Sequence, residues 1–212
     1  MSEHPKPLTP YLRLATAGAY LYVGSKVLGT VQQWTGVAAF ATLNFLLFVG
    51  AAVLGGMFMG RVGGNLDRLD RGDRTRSTAL GVTLWYLPIV NLFLPFFVSR
   101  EWLRASRAEA DQGEADPDYL KLWWGLWALA GAIVVFGVFY GIAGGADAIL
   151  DAGGNQTAQD EAIAQVEEDQ QVAQAILSTA STLLVIGALP LYLRLCRDFA
   201  RLQDARIAER FN

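Results

Sequence analysis

The 212-residue chain has one cysteine, Cys196, and one histidine, His4. A lone cysteine excludes an internal disulfide and any cysteine-based metal cluster, and a single histidine close to the terminus gives no basis for a zinc or haem site. The same scarcity removes the usual catalytic base. No Ser or Thr has a histidine beside it, and no Gly-x-Ser-x-Gly turn, paired-histidine motif or phosphate-cradling glycine loop is present. The expectation is a chain that is not an enzyme and carries no cofactor. Charge is scarce as well: 17% of residues are charged and the formal net charge is -3. With no basic and aromatic surface to receive it, a nucleic-acid partner is not expected.

What the chain has in quantity is apolar sequence, 53% of its residues. The charges gather in polar islands between apolar runs of about 20 residues, the length that crosses roughly 30 Å of hydrocarbon as a helix. This composition predicts an all-α integral membrane protein, one membrane domain over residues 1–212. Five apolar segments stand out: Tyr11 to Leu28, Val37 to Met59, Ala79 to Val98, Tyr119 to Ile142 and Ala175 to Leu193. The N-terminus, MSEHPKPLTP, has an acid, two early prolines and no small-residue cleavage pattern, so no removable signal peptide is expected and residues 1–10 read as a flexible cytoplasmic segment. Arg13 and Lys26 lie near the ends of the first segment, where long side chains snorkel to the interface.

The third segment contains LWYLPIVNLFLPFF, Leu84 to Phe97. Pro88 and Pro95 each remove a backbone donor and clash with the carbonyl four residues earlier, and unpaired backbone groups are costly in lipid. A re-entrant helical hairpin bent between Pro88 and Pro95, with Asn91 tying off freed groups, resolves the conflict. It also places sixteen of the seventeen Lys and Arg on one side, leaving Lys26 opposite, which is the asymmetry expected of cytoplasmic loops. The predicted architecture is four transmembrane helices plus this hairpin; the alternative is five spanning helices.

Both termini are then cytoplasmic, in a bacterial inner membrane. Residues 144–174 form an acidic extracytoplasmic loop and helix extension carrying Asp147, Asp151, Asp160, Glu161, Glu167, Glu168 and Asp169 without any Lys or Arg. Thr157 with Asp160 resembles a weakened capping box opening the last helix. Residues 194–212 read as a basic amphipathic cytoplasmic tail, with Leu195, Phe199 and Leu202 on one stripe, suited to anionic headgroups.

Two rows of glycine at four-residue spacing, Gly56, Gly60, Gly64 and Gly137, Gly141, Gly145, are candidate packing faces, because small residues let helix backbones approach where lipid offers no hydrophobic drive. No ionisable residue is read at membrane depth. Thr42, Asn44, Asn91, Tyr140, Ser178, Thr179, Ser181 and Thr182 make up the intramembrane polar set, which argues against an ion-coupled pump.

The run GMFMGRVGGNLDRLDRGDRTRSTALGVTLWYLPIVNLFLPFFVSREWLRAS, followed by LKLWWGLWAL, resembles the bacterial membrane family called domain of unknown function 4328. Arg61, Asn65, Trp85, Pro88, Asn91, Pro95, Trp102, Trp123 and Trp124 occupy the places of that family's pattern, while Met57 to Met59 stand where an aromatic is expected. The resemblance implies a membrane architecture and carries no activity. The leading functional expectation is a scaffold or accessory subunit acting through helix packing, with the lipid bilayer and either a protein partner or a second copy as its contacts. The competing expectation is a small passive channel or carrier lined by the re-entrant segment.

Overall fold

The structure, a computed structural model, describes residues 4–69, 78–83, 94–107, 115–151 and 156–211. The described residues are helical, without strands. A 3-10 turn, Thr9–Tyr11, leads into α1 (Leu12–Thr35), α2 (Ala39–Arg68), α3 (Thr78–Thr83), α4 (Leu94–Ser106), α5 (Asp118–Asp151) and α6 (Gln156–Phe211). Three stretches are long and apolar enough to cross a membrane: Ala39–Arg68, Asp118–Ala146 and Gln170–Phe211. Their outer faces carry Phe45, Leu46, Phe136, Phe139 and Leu183 exposed, the surface of helices that meet hydrocarbon.

Local chemistry explains how the elements end. α1 stops at Gly36, whose φ of 66° is left-handed and whose N–H donates to the Gln32 carbonyl; only glycine takes that conformation cheaply. The short link that follows folds α2 back along α1. Here the backbones come close, because a methyl group on Gly18 would stand 3.1 Å from the Gly55 nitrogen. Pro95 sits at the second position of α4, where a missing N–H costs nothing. The bend expected between Pro88 and Pro95 lies outside the described residues up to position 93, and Trp85 and Asn91 with it.

α5 and α6 are longer than the apolar segments within them. Within 144–174, expected to be a loop with a turn at Gly153 and Gly154 and a helix extension from about Thr157, residues 144–151 are helical as the end of α5 and residues 156–174 as the start of α6. α6 is described from Gln156, and Thr157 lies at its N-terminal end. Over 56 residues it extends about 84 Å and continues through Pro190.

Leu195, Cys196, Phe199 and Gln203 are buried against the rest of the protein, so the apolar stripe is spent on tertiary packing. The N-terminal segment is likewise held: Leu8 is buried, and Asp204 of α6 accepts hydrogen bonds from the N–H of Leu8 and from the N–H and hydroxyl of Thr9. His4 stacks edge-on against Phe211 at 5.3 Å, so the two chain ends meet.

The water-excluding core sits at this end. Phe58, Val62 and Leu66 of α2, Trp102 of α4, Leu120 and Trp123 of α5, and Phe199 of α6 form one cluster. Thr78 of α3 and Trp102 of α4 both press on Gly63 of α2, so the chain on either side of 84–93 returns to the same level. The opposite half of the bundle lacks such a core and is hollow.

Candidate functional site

The described motif residues Arg61, Asn65, Pro95, Trp102, Trp123 and Trp124 lie at the packed end. Asn65, fully buried on α2, clamps the N-terminal backbone at Lys6, accepting from its N–H at 3.2 Å and donating to its carbonyl at 2.8 Å. Arg61, one turn earlier, donates to the Tyr11 hydroxyl at 2.8 Å and lies 4.8 Å above the same ring. Trp102 fills the space left by Gly63 and Gly81, and a side chain on either glycine would collide with its indole. Trp123 packs against Tyr192, and Trp124 meets Phe96.

Gln203 ties three helices by donating to the Val62 carbonyl and to the Ser106 hydroxyl. Arg210 donates to the Leu69 carbonyl at the end of α2, and Asp116 takes both Arg100 and Arg104. Every one of these groups is engaged in holding backbone or another helix. The motif at this end builds a junction and contains no aligned nucleophile and base, and no group of His, Cys, Asp and Glu able to hold a metal occurs among the described residues.

The two glycine rows behave differently. Gly137 and Gly141 face α6, with Leu177 and Gln174 3.4 and 3.0 Å from a methyl group placed on each. Gly145 faces open space, and its neighbour Gly144 takes the contact with Gln170, since a straight helix turns past a strict four-residue spacing. On α2, Gly60 faces open space, Gly64 meets only its own helix's Arg68, and Gly56 lines a cavity described below.

That hollow half is the candidate site. A cavity of about 700 Å³ lies between α1, α2, α5 and α6 and is lined by Lys26, Gln32, Asn44, Gln174 and Ser178 among apolar neighbours. The first apolar segment, expected to end at Leu28, is a longer helix: α1 continues nine residues past Lys26, about 14 Å, and Lys26 lines this cavity. Around it the hydroxyls are ordered. Ser25 donates to Asn44 at 2.6 Å, and Thr30 lies 3.0 Å from Ser178 and 2.8 Å from Thr182, so α1 is stitched to both α2 and α6. Gly29 permits this, because a methyl group there would stand 3.0 Å from the Asn44 amide. No carboxylate neutralises Lys26 among the described residues; its ammonium lies 5.6 Å above the Tyr22 ring.

Below it, toward the packed end, a second cavity of about 460 Å³ is apolar, lined by Gly18, Ala19, Ala51, Gly55, Trp127 and Ala188 with others. Phe48 lines both cavities, and Tyr22, 5.2 Å from the Trp127 ring, stands at their boundary.

Sequence reading identified Asn44, Ser178, Ser181 and Thr182 as intramembrane polar residues and missed that they surround Lys26. The signal was available: polar residues recur on one face of α1 at Ser25, Gly29 and Gln32 and on α6 at Gln174, Ser178 and Ser181, spacings that share a helical face. Asp204 and Gln203 gave no such signal, because their roles come from partners far away in the chain. No curated protein and no solved structure matches the chain. The domain of unknown function DUF4328 matches residues 30–201, a span that includes Arg61, Asn65 and Trp102 of the junction and Asn44 and Ser178 of the polar cavity but not Lys26, and the chain belongs to this family.

Proposed function

We propose that the chain is a non-enzymatic inner-membrane protein that binds a small ligand in its polar cavity, acting as a carrier or as the binding subunit of a larger assembly. The observation that carries this reading is Lys26. A cation facing a cavity of about 700 Å³ with no carboxylate partner among the described residues is expensive in a membrane bundle, and such residues mark ligand or ion paths. Hydroxyls and amides around it supply orienting hydrogen bonds, the usual composition of a binding site of this size.

The architecture proposed with it is four spans, α1 among them, plus a re-entrant hairpin formed by α3, α4 and the residues between. The meeting of the chain ends supports an even number of crossings, and the shared contact of Thr78 and Trp102 with Gly63 supports a segment that enters and leaves on one face. The concentration of Lys and Arg in the polar islands supports a cytoplasmic side for that end. The proposed binding space is the one between α1, α2, α5 and α6.

A single cysteine at Ser178, in a Cys196→Ala background, tests the reading. A charged, impermeant thiol reagent added from the acidic side should modify Ser178→Cys and spare a lipid-facing Leu183→Cys. Equal inertness at both positions means the cavity is closed to water and ends the proposal. The scaffold reading stays as a second one, favoured by the open space in front of Gly60 and Gly145, where another helix could approach.

A further inference from the structure

The two cavities are stacked along the bundle axis. Lys26 lines the outer one, and Tyr22, one turn earlier on α1, lines the inner one; Thr182 and Val185 repeat that succession on α6. Phe48 belongs to both. Each volume falls in the roughly 300–1,000 Å³ range of ligand sites, and their linings are opposite in character. A polar solute alone would leave the inner cavity unused, and an apolar one would strand the ammonium without a counter-charge.

We propose that the two form one bipartite site for an anionic amphiphile. The acidic head pairs with Lys26 beside Asn44 and Ser178, and a single alkyl chain passes the Tyr22 and Phe48 boundary to lie in the inner cavity. The room for the chain is made by small residues, Gly18, Ala19, Ala51 and Ala188, contributed by three helices. This assignment rests on the binding reading above and adds the ligand's chemistry to it. The shared chemistry, an anion on an alkyl chain, is found in free fatty acids and in the acidic lipids of the bilayer.

The test uses the full chain in lipid nanodiscs and a fatty acid bearing a diazirine near its methyl end. Irradiation should label residues of the inner cavity, Val185 or Trp127, in a saturable way. On the wild type, unlabelled fatty acid should compete and the fatty alcohol of equal length should compete at least about tenfold less well, the size of a lost charge-assisted hydrogen bond. K26Q should erase that preference and K26R should restore it. Competition by phosphatidylglycerol as strong as by the free acid supports the site and names the bilayer as its source; competition by the acid alone supports it and names the free pool.

Equal competition by acid and alcohol on the wild type, or labelling confined to lipid-facing residues such as Leu129 and Phe139, overturns the proposal. These failures differ from that of the binding reading. A cavity where Ser178→Cys reacts but acid and alcohol compete alike still binds, only not by this rule; a cavity where it stays inert does not bind at all.

Discussion

Asp116 is held by Arg100 and Arg104 on the preceding helix, with its own carboxylate 8% exposed and the two arginines 39% and 46% exposed. Burial alone would raise its pKa, but the hydrogen bonds and charges of the two guanidiniums outweigh that and hold it below the ordinary carboxylate value. A depressed folded-state value means the contribution to stability is complete above the unfolded value, about 3.9, and is lost as pH falls through the lower folded one. Asp116→Asn should therefore cost up to about 1 kcal/mol at pH 7, small because both cations are wet. The gap between variant and wild type in detergent denaturation should begin to narrow only below about pH 4 and shrink progressively as the lower folded value is passed; a gap that does not narrow as pH falls would assign the loss to packing. The pair was not legible in sequence, since nothing in the spacing of Arg100, Arg104 and Asp116 reveals that the intervening chain turns back. Lys26 teaches the converse: it was visible in the sequence, but the helix carrying it ends seven residues later than the apolar run does.

Among elements, α2 separates glycines that bear contact from those that do not. A methyl group on Gly63 would lie 2.7 Å from Thr78 and 2.9 Å from Trp102, whereas at Gly60 it meets nothing within 4 Å. Gly63→Ala should destabilise by about 1–3 kcal/mol through overpacking. Gly60→Ala should be neutral or gain up to about 1 kcal/mol of helix propensity. Melting temperature read at about 2–4 °C per kcal/mol distinguishes them, and equal shifts would mean that the junction does not depend on Trp102. Gly60→Leu extends the comparison to the scaffold reading: native mass measurement should find its assembly unchanged if lipid covers this face, and a lost partner if a protein does. Four-residue glycine spacing was readable, but which row meets another helix depends on which face turns inward, a property of the bundle. The helix that follows the acidic turn was readable, because no breaker stands between Thr157 and Gly187, whereas the run of α5 on to Asp151 was not, because its apolar segment ends at Ile142.

At the scale of the whole molecule the proposed threading is open to direct measurement. Cysteines at Ser77 and Lys121, in a Cys196→Ala background, should react with an impermeant reagent from one side of sealed vesicles, and one at Leu150 from the other. Reaction of Ser77 and Lys121 from opposite sides would replace the hairpin by a fifth span. Composition and run length were enough to establish an all-helical chain with helices able to cross a membrane, because hydrocarbon thickness dictates length and apolarity segment by segment, without reference to neighbours. The spelling around Arg61, Asn65 and Trp102 was enough for the family, since a motif is local. What required the tertiary structure was every long-range choice: that the basic tail buries its stripe, that Asp204 grips the N-terminal residues, and that Lys26 and the hydroxyls of α6 enclose one space. Burial and pairing belong to two surfaces at once, and a linear pattern describes only one of them.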